Sequence, residues 1–235
     1  DPNGQGGYDV RRASGGFRSD LGRRARFGDD DTREEAFGFS FRFYGAARAS
    51  AYVNSDGNLT FGGGDVETTA RSLGRVLSGA PRVAPFFADL DPSAGGGIFV
   101  TAASDAFTVT WCAVPDFDAT GKVTAQASLL PGGAVEIRID ASTTLKDAVV
   151  ALSPGATSAL AAVDLSAASG GTAGGPGAVG ERFAAEASLD LAEDVGHLGT
   201  GIGGGNDHLV GPGANGDRLA EPGRRAAADG DHRRC

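Results

Sequence analysis

The stretch FGFSFRF at positions 37–43 places a phenylalanine at every second position. Successive side chains of a β-strand point to opposite faces, so the four rings share one face of a strand. On an α-helix the same spacing would distribute the rings around the axis. The stretch therefore predicts a strand whose aromatic face packs into a core.

Short strands separated by turn residues follow this stretch. Asp56-Gly57, between Ala49–Asn54 and Asn58–Phe61, is typical of a tight hairpin turn. Other apolar or alternating runs lie at Val83–Leu90, Ile98–Ala102, Phe107–Val114, Val123–Leu130, Ala134–Asp140, Ala148–Leu152 and Ala161–Leu165. About eight to ten short strands of this kind predict an all-β, antiparallel β-sandwich.

Composition predicts where the sandwich begins and ends. Thirteen of the 17 aromatic residues lie between Phe37 and Phe117. Helix-forming residues with apolar spacing follow a glycine-rich stretch, and the last forty positions carry no aromatic residue. We therefore expect an extended arm or edge strands at 1–28, the sandwich at 29–167, a Gly-rich linker at 168–180, a short helix at 181–195, and a disordered, low-complexity tail at 196–235. A further short helical turn is expected around Thr69–Val76.

The charge of the chain excludes two classes of partner. The formal net charge is −9, and no basic patch is interleaved with aromatic residues. Sequence-independent nucleic-acid binding needs clustered Lys and Arg side chains, so we expect no nucleic-acid partner. No apolar run approaches the roughly 18 residues that a membrane-spanning helix needs, so we expect no membrane insertion.

Carboxylates are the strongest candidates for a binding site. Asp29, Asp30 and Asp31 could supply hard oxygen ligands to Ca²⁺, although their spacing is not that of an EF-hand. The alternative is a turn whose carboxylates are solvated by water.

A second pair of carboxylates, Asp89 and Asp91, flanks Leu90. On a strand these two would share a face and would need a cation, an arginine or water. A turn-and-cap role and an acid/base pair are the alternatives. Asp56 is predicted to be a turn residue whose replacement is mild.

The remaining chemistry-bearing residues predict no catalytic site and no required cofactor. The three histidines are His197, His208 and His232, all in the tail, and no zinc-binding motif surrounds them. Cys112 follows Trp111 in an apolar run, so we expect a buried free thiol and no disulfide to Cys235. The alternation of Trp111 with Phe107 places the indole inside the core.

Several ordered blocks of the sequence resemble a known family. Residues 41–45 read FRFYG and residues 52–62 read YVNSDGNLTFG. Residues 83–92 read VAPFFADLDP, residues 107–111 read FTVTW, and residues 130–137 read LPGGAVEI. In order and spacing they are similar to the signature blocks of nidogen-type (NIDO-like) extracellular modules, as found in bacterial secreted multidomain proteins. The resemblance covers roughly residues 29–165.

This resemblance implies a secreted or cell-surface module that lacks catalytic residues and is associated with matrix adhesion in animals. We therefore expect a non-catalytic adhesion or interaction module whose partner is an extracellular protein or polysaccharide. One alternative is the accessory N-terminal domain of a secreted hydrolase of metallopeptidase type. Another alternative is a calcium-dependent carbohydrate-binding sandwich.

Overall fold

The chain forms two sheets that pack as a sandwich, and their strands pair antiparallel except for the parallel pair at one edge of the larger sheet. The computed structural model describes residues 1–12, 15–165, 176–183 and 235. The five-stranded sheet has the order β1-β6-β7-β8-β9, and the seven-stranded sheet has the order β11-β12-β10-β5-β4-β3-β2. The strands are β1 (Arg23–Ala25), β2 (Thr32–Phe43), β3 (Ala46–Asn54), β4 (Asn58–Thr60), β5 (Arg82–Phe87), β6 (Gly97–Ala102), β7 (Phe107–Pro115), β8 (Lys122–Leu129), β9 (Val135–Ile139), β10 (Ala148–Ser153), β11 (Leu160–Ala162) and β12 (Ala178–Phe183). The predicted all-β sandwich is confirmed.

The aromatic face of β2 packs into the core between the sheets. Phe41 and Phe43 are fully buried, and Phe37 and Phe39 are half-buried against the same core. The ring of Phe37 lies 4.8 Å from that of Phe107, between centroids, on the opposite sheet. These contacts confirm the core face predicted from the alternation.

The turn between β3 and β4 needs its glycine. The strands pair with Asn54 opposite Asn58, so the predicted hairpin is confirmed. Gly57 has a φ of 68°, which favours glycine, and a Cβ there would lie 2.0 Å from the Phe86 carbonyl oxygen. The turn therefore packs directly against the end of β5.

Trp111 lies at the centre of the core, as predicted. It is completely buried on β7, between Ile98 of β6 and Ala125 of β8. Its indole N–H donates to the carbonyl oxygen of Asn54 at 3.1 Å. This bond satisfies the polar atom of the ring and links the two sheets.

One helix, α1 (Leu73–Ser78), covers the outer face of the seven-stranded sheet. The Ser72 hydroxyl caps it by accepting a hydrogen bond from the backbone N–H of Arg75 at 3.2 Å. Val76 is buried in a small second core with Phe87 of β5 and Val149 of β10. The expected helical turn in this part of the chain is therefore present.

The predicted C-terminal boundary is wrong. Ala178–Phe183 form β12, which pairs antiparallel with β10 and parallel with β11. The strand overlaps both the end of the predicted linker at 168–180 and the start of the predicted helix at 181–195. Backbone hydrogen bonds to two neighbouring strands and the burial of Ala178 and Val179 outweigh the weak helix propensity of this segment.

The rest of the predicted C-terminal organisation lies outside the described residues, including 184–195 and 196–234. The chain divides into one compact unit at 1–186 with 233–235 and another at 187–232, and the latter is not described. Among the described residues no helix is long and apolar enough to cross a membrane.

Candidate functional site

Three carboxylates converge at one end of the sandwich. Asp29 and Asp30 lie in the turn before β2, and Asp89 follows β5. One oxygen of each carboxylate lies within 4.8 Å of the others. We call Asp29, Asp30 and Asp89 the carboxylate cluster. The structure thus brings together three of the five aspartates that the sequence singled out.

The side chain of Arg71 anchors this cluster. Its Nη2 pairs with Asp30 and, at 2.9 Å, with Asp89, while its Nε donates to Asp56 at 2.8 Å. Its Nη1 donates to the carbonyl oxygens of Thr68 and Thr69. The Arg71 side chain is 5% exposed, and each of its three nitrogens engages an acceptor. One buried cation therefore connects segments that are far apart in the sequence.

Asp56 forms the buried wall behind the cluster. Its carboxylate accepts from Arg71 and from the backbone N–H of Leu90 at 3.2 Å. Burial raises the pKa of Asp56 to about 6, and these hydrogen bonds oppose the shift only in part. These contacts argue against a mild effect of replacing Asp56, because its removal would leave buried donors without their acceptor.

Negative charge exceeds positive charge at the cluster. Desolvation and the neighbouring Asp30, Asp91 and Asp89 raise the pKa of Asp29. Desolvation, Asp30 and Asp118 also raise the pKa of Asp89, against the opposing effect of Arg71. The cluster can therefore offer oxygen ligands to a cation or to the basic groups of a partner.

The other two candidate aspartates are not members of the cluster and instead cap the backbone. Asp31 accepts hydrogen bonds from the N–H groups of Gly28 and Thr32. Asp91 accepts from both the N–H and the hydroxyl of Ser93. Asp89 and Asp91 lie beyond the end of β5, so the expectation of a shared strand face is wrong. Asp91 therefore has the turn-and-cap role that the sequence offered as an alternative.

A neighbouring ion-pair network was missed at the sequence level. Asp65 pairs with Arg75 at 2.5 Å and with Arg82 at 2.9 Å, and both arginines lie over the ring of Phe87. Burial would raise the pKa of Asp65, but the two guanidinium groups outweigh it and lower the pKa. No local pattern marks these residues, because the partners come from a loop, a helix and a strand.

The cysteine prediction is wrong. Cys112, which is half-buried on β7, forms a disulfide with Cys235. The apolar context of Cys112 suggested a buried thiol, but Cys112 is half-buried and follows the fully buried Trp111, so its side chain points to the opposite face of β7. The three histidines lie outside the described residues, so the structure does not test the expectations about them.

Comparison with known proteins gives one match. A family model described as NIDO related matches residues 7–173. The matched region includes β1 to β11, Arg71 and the whole carboxylate cluster. No curated protein and no solved structure matches the chain.

Proposed function

Because the chain belongs to the NIDO-related family, we propose that it is a non-catalytic, secreted or cell-surface module for adhesion to an extracellular protein or polysaccharide. The proposal further assigns partner contact to the carboxylate cluster. The observation that carries this assignment is the convergence of Asp29, Asp30 and Asp89 at one site. Family membership supports an interaction module, and the cluster supplies a place on it for a partner.

Electrostatics support contact with cationic groups. Asp29 is exposed and the side chain of Asp89 is 49% exposed, so a partner can reach both carboxylates. The pKa of each is raised by desolvation and by neighbouring carboxylates. A basic side chain of the partner would relieve this repulsion, whereas an anionic surface would be repelled.

The disulfide supports an extracellular location. Disulfides form and persist in oxidising compartments and are rare in the reducing cytosol of most cells. The Cys112–Cys235 bond therefore agrees with a secreted or cell-surface protein.

The test is retention on immobilised matrix proteins and polysaccharides. We expect the wild type to be retained and Asp29→Asn/Asp89→Asn to lose roughly tenfold or more in affinity, because two attractive charges are removed. The matched control is Asp105→Asn/Asp147→Asn, which removes the same charge from two exposed side chains elsewhere. Equal retention of wild type and cluster variant would place the contact surface elsewhere. A wild type that is retained by none of the ligands would contradict the adhesion proposal.

A second candidate function is calcium-dependent binding, which the spacing of the carboxylate oxygens favours. Ca²⁺ takes six to eight oxygen ligands, and Asp29, Asp30 and Asp89 could supply three of them. Arg71 already neutralises part of this charge, which favours direct contact with a partner over a metal.

Thermal unfolding with and without calcium separates these two functions. A ligand that binds the folded state raises the unfolding midpoint. On the calcium hypothesis, CaCl₂ raises the midpoint of the wild type but not that of Asp29→Asn/Asp89→Asn, and MgCl₂ at equal ionic strength has a smaller effect. A wild-type midpoint that is the same in both salts would exclude the calcium hypothesis.

A further inference from the structure

Positive charge is concentrated in the segment that leads into the sandwich. Residues 10–28 hold six arginines and one aspartate, whereas the chain as a whole carries a net charge of −9. Three of these arginines, Arg11, Arg18 and Arg23, form ion pairs with carboxylates. A segment whose charge is opposite to that of the rest of the chain is a candidate contact for an anionic partner.

Two other arginines of this segment, Arg24 and Arg26, line one pocket. They are exposed and lie two positions apart in an extended segment, so their side chains leave the chain on the same side. The buried Ala25 and Phe27 alternate with them and belong to the core. No ion pair joins Arg24 or Arg26 to a residue that the structure describes. Both guanidinium groups therefore keep their charge available at the pocket.

The lining of this pocket is complementary to an anion. Its volume is about 580 Å³, and Pro92, Gly97 and Ile98 line it beside the two arginines. Ligand sites commonly have volumes of about 300–1,000 Å³. Among the described residues that line the pocket, none carries a carboxylate. Two cations without a neutralising side chain attract an anionic group, even on a protein whose net charge is negative.

Contacts within the chain hold the Arg24 side chain in position. Its Nη2 donates to the carbonyl oxygen of Gly96 at 2.6 Å, and its guanidinium carbon lies 6.0 Å from the centre of the Phe99 ring. Gly97 provides the space for this placement, since a Cβ there would lie 3.0 Å from the Arg24 Nε. A guanidinium has five N–H donors, so the bond to Gly96 leaves others for a ligand.

We propose that Arg24 and Arg26 bind the anionic groups, sulfates or carboxylates, of an acidic extracellular polysaccharide. A guanidinium presents paired N–H donors that match the oxygens of such groups. The proposal goes beyond the proposed function, which assigns partner contact to the carboxylate cluster, and rests on it only for the extracellular location.

The surface around the pocket favours a polysaccharide over a protein partner. Protein interfaces usually have an apolar centre. None of the exposed large apolar side chains of the described chain lines this pocket; these are Val66, Phe117, Ile139 and Leu165. A chain of sugars needs no such centre, because its anionic groups pair with the arginines directly.

The nearby carboxylates oppose this contact. Asp29 is three positions after Arg26, and Asp91 directly precedes Pro92. Their charges repel a bound anion, although at about 0.15 M salt charges more than about 8 Å apart are largely screened. The attraction also comes from exposed charges, so the affinity for the polysaccharide should fall as salt is added.

Binding of heparin, polygalacturonate and neutral dextran, measured by calorimetry, tests the proposal. We expect at least one of the two acidic polysaccharides to bind and dextran not to bind; the tighter of the two identifies sulfate or carboxylate as the preferred group. Arg24→Ala/Arg26→Ala should lose roughly tenfold or more in affinity, because two charge-assisted contacts are removed. The matched control is Arg42→Ala/Arg182→Ala, which removes two exposed arginines from the seven-stranded sheet and should bind like the wild type.

Gly97→Ala tests the geometry of the pocket without changing any charge. The added methyl group displaces the Arg24 side chain, so the affinity for the acidic polysaccharide should fall severalfold. Gly63→Ala, whose added Cβ meets nothing within 4 Å, should have no effect. Thermal unfolding of each variant reports whether it folds. A folded Gly97→Ala protein that binds as tightly as the wild type would overturn the assignment to this pocket.

Asp29→Asn/Asp89→Asn separates this proposal from the proposed function. This variant should bind the acidic polysaccharide at least as tightly as the wild type, because it removes repulsion, whereas it should lose the cationic partner of the carboxylate cluster. Absence of binding to both acidic polysaccharides overturns the proposal, and so does an unchanged affinity of Arg24→Ala/Arg26→Ala. Equal affinity for single-stranded DNA would show attraction by charge alone and would also overturn it.

Discussion

At the scale of single residues, Arg71 organises the candidate site. One guanidinium pairs with Asp30, Asp56 and Asp89, which lie in three different segments. Removing it would leave a largely buried carboxylate at Asp56 and unbalanced charge at the other two. Breaking such a buried pair by removing one partner costs about 3–5 kcal/mol. The site is therefore coupled to the stability of the loops that carry it.

The raised pKa of Asp56 predicts a pH dependence of stability. Between the ordinary value of 3.8 and about 6, the folded chain binds more protons at this carboxyl than the unfolded chain does. The unfolding free energy of the wild type therefore falls as pH rises through this window, by at most about 3 kcal/mol from this group. Asp56→Asn lacks this contribution.

Urea unfolding at several pH values measures this contribution of Asp56 to the unfolding free energy. We expect the stability of the wild type relative to Asp56→Asn to decrease between about pH 4 and pH 7. Asp105→Asn, which removes the same charge from an exposed side chain, is the matched control. Parallel curves for wild type and Asp56→Asn would show that burial does not shift this pKa.

At the scale of elements, β12 has a position that its own sequence did not indicate. The strand lies between β10 and β11 in the seven-stranded sheet. A Cβ on Gly180 would lie 2.3 Å from the Val150 carbonyl oxygen and 2.6 Å from the Ala151 Cβ. Only a residue without a side chain allows β12 to approach β10 so closely. The glycine that ends the predicted linker thus has a packing role in the sheet.

Gly180→Ala should destabilise the protein by roughly 1–3 kcal/mol, because the added methyl group overlaps the backbone of β10. Chemical denaturation measures the loss, and limited proteolysis should show faster cleavage near β12. Gly63→Ala is the matched control, since an added Cβ there meets nothing within 4 Å. If both variants were equally stable, β12 would not pack against β10 as described.

At the scale of the whole molecule, a covalent link joins the last residue to the five-stranded sheet. The Cys112–Cys235 disulfide spans a sequence separation of 123 residues. Closing so long a loop restricts the unfolded chain, and losing such a bond typically costs about 2–5 kcal/mol. The link also holds Cys235 at β7.

Reduction should therefore lower the unfolding free energy of the wild type by about 2–5 kcal/mol, as urea unfolding with and without dithiothreitol would measure. Cys112→Ser cannot form the disulfide, so its unfolding free energy should equal that of the reduced wild type and should not change when the reductant is added. A wild type that is equally stable in both conditions would show that the disulfide contributes nothing to folding.

The sequence alone determined the parts of the fold that depend on neighbouring residues. The alternation at 37–43 predicts the aromatic face of β2, Asp56-Gly57 predicts the hairpin, and the apolar context of Trp111 predicts its burial. The sequence also drew attention to Asp29, Asp30 and Asp89. These features follow from strand geometry and turn chemistry, which act over a few residues.

Only the tertiary structure decided the features that depend on distant residues. It joined Asp29, Asp30 and Asp89 through Arg71, paired Cys112 with Cys235, and placed residues 178–183 in a sheet. The helical pattern of that last segment was a weak local preference, and two neighbouring strands outweighed it. Local patterns do not indicate which distant residue will be the partner, because the fold as a whole determines which segments meet.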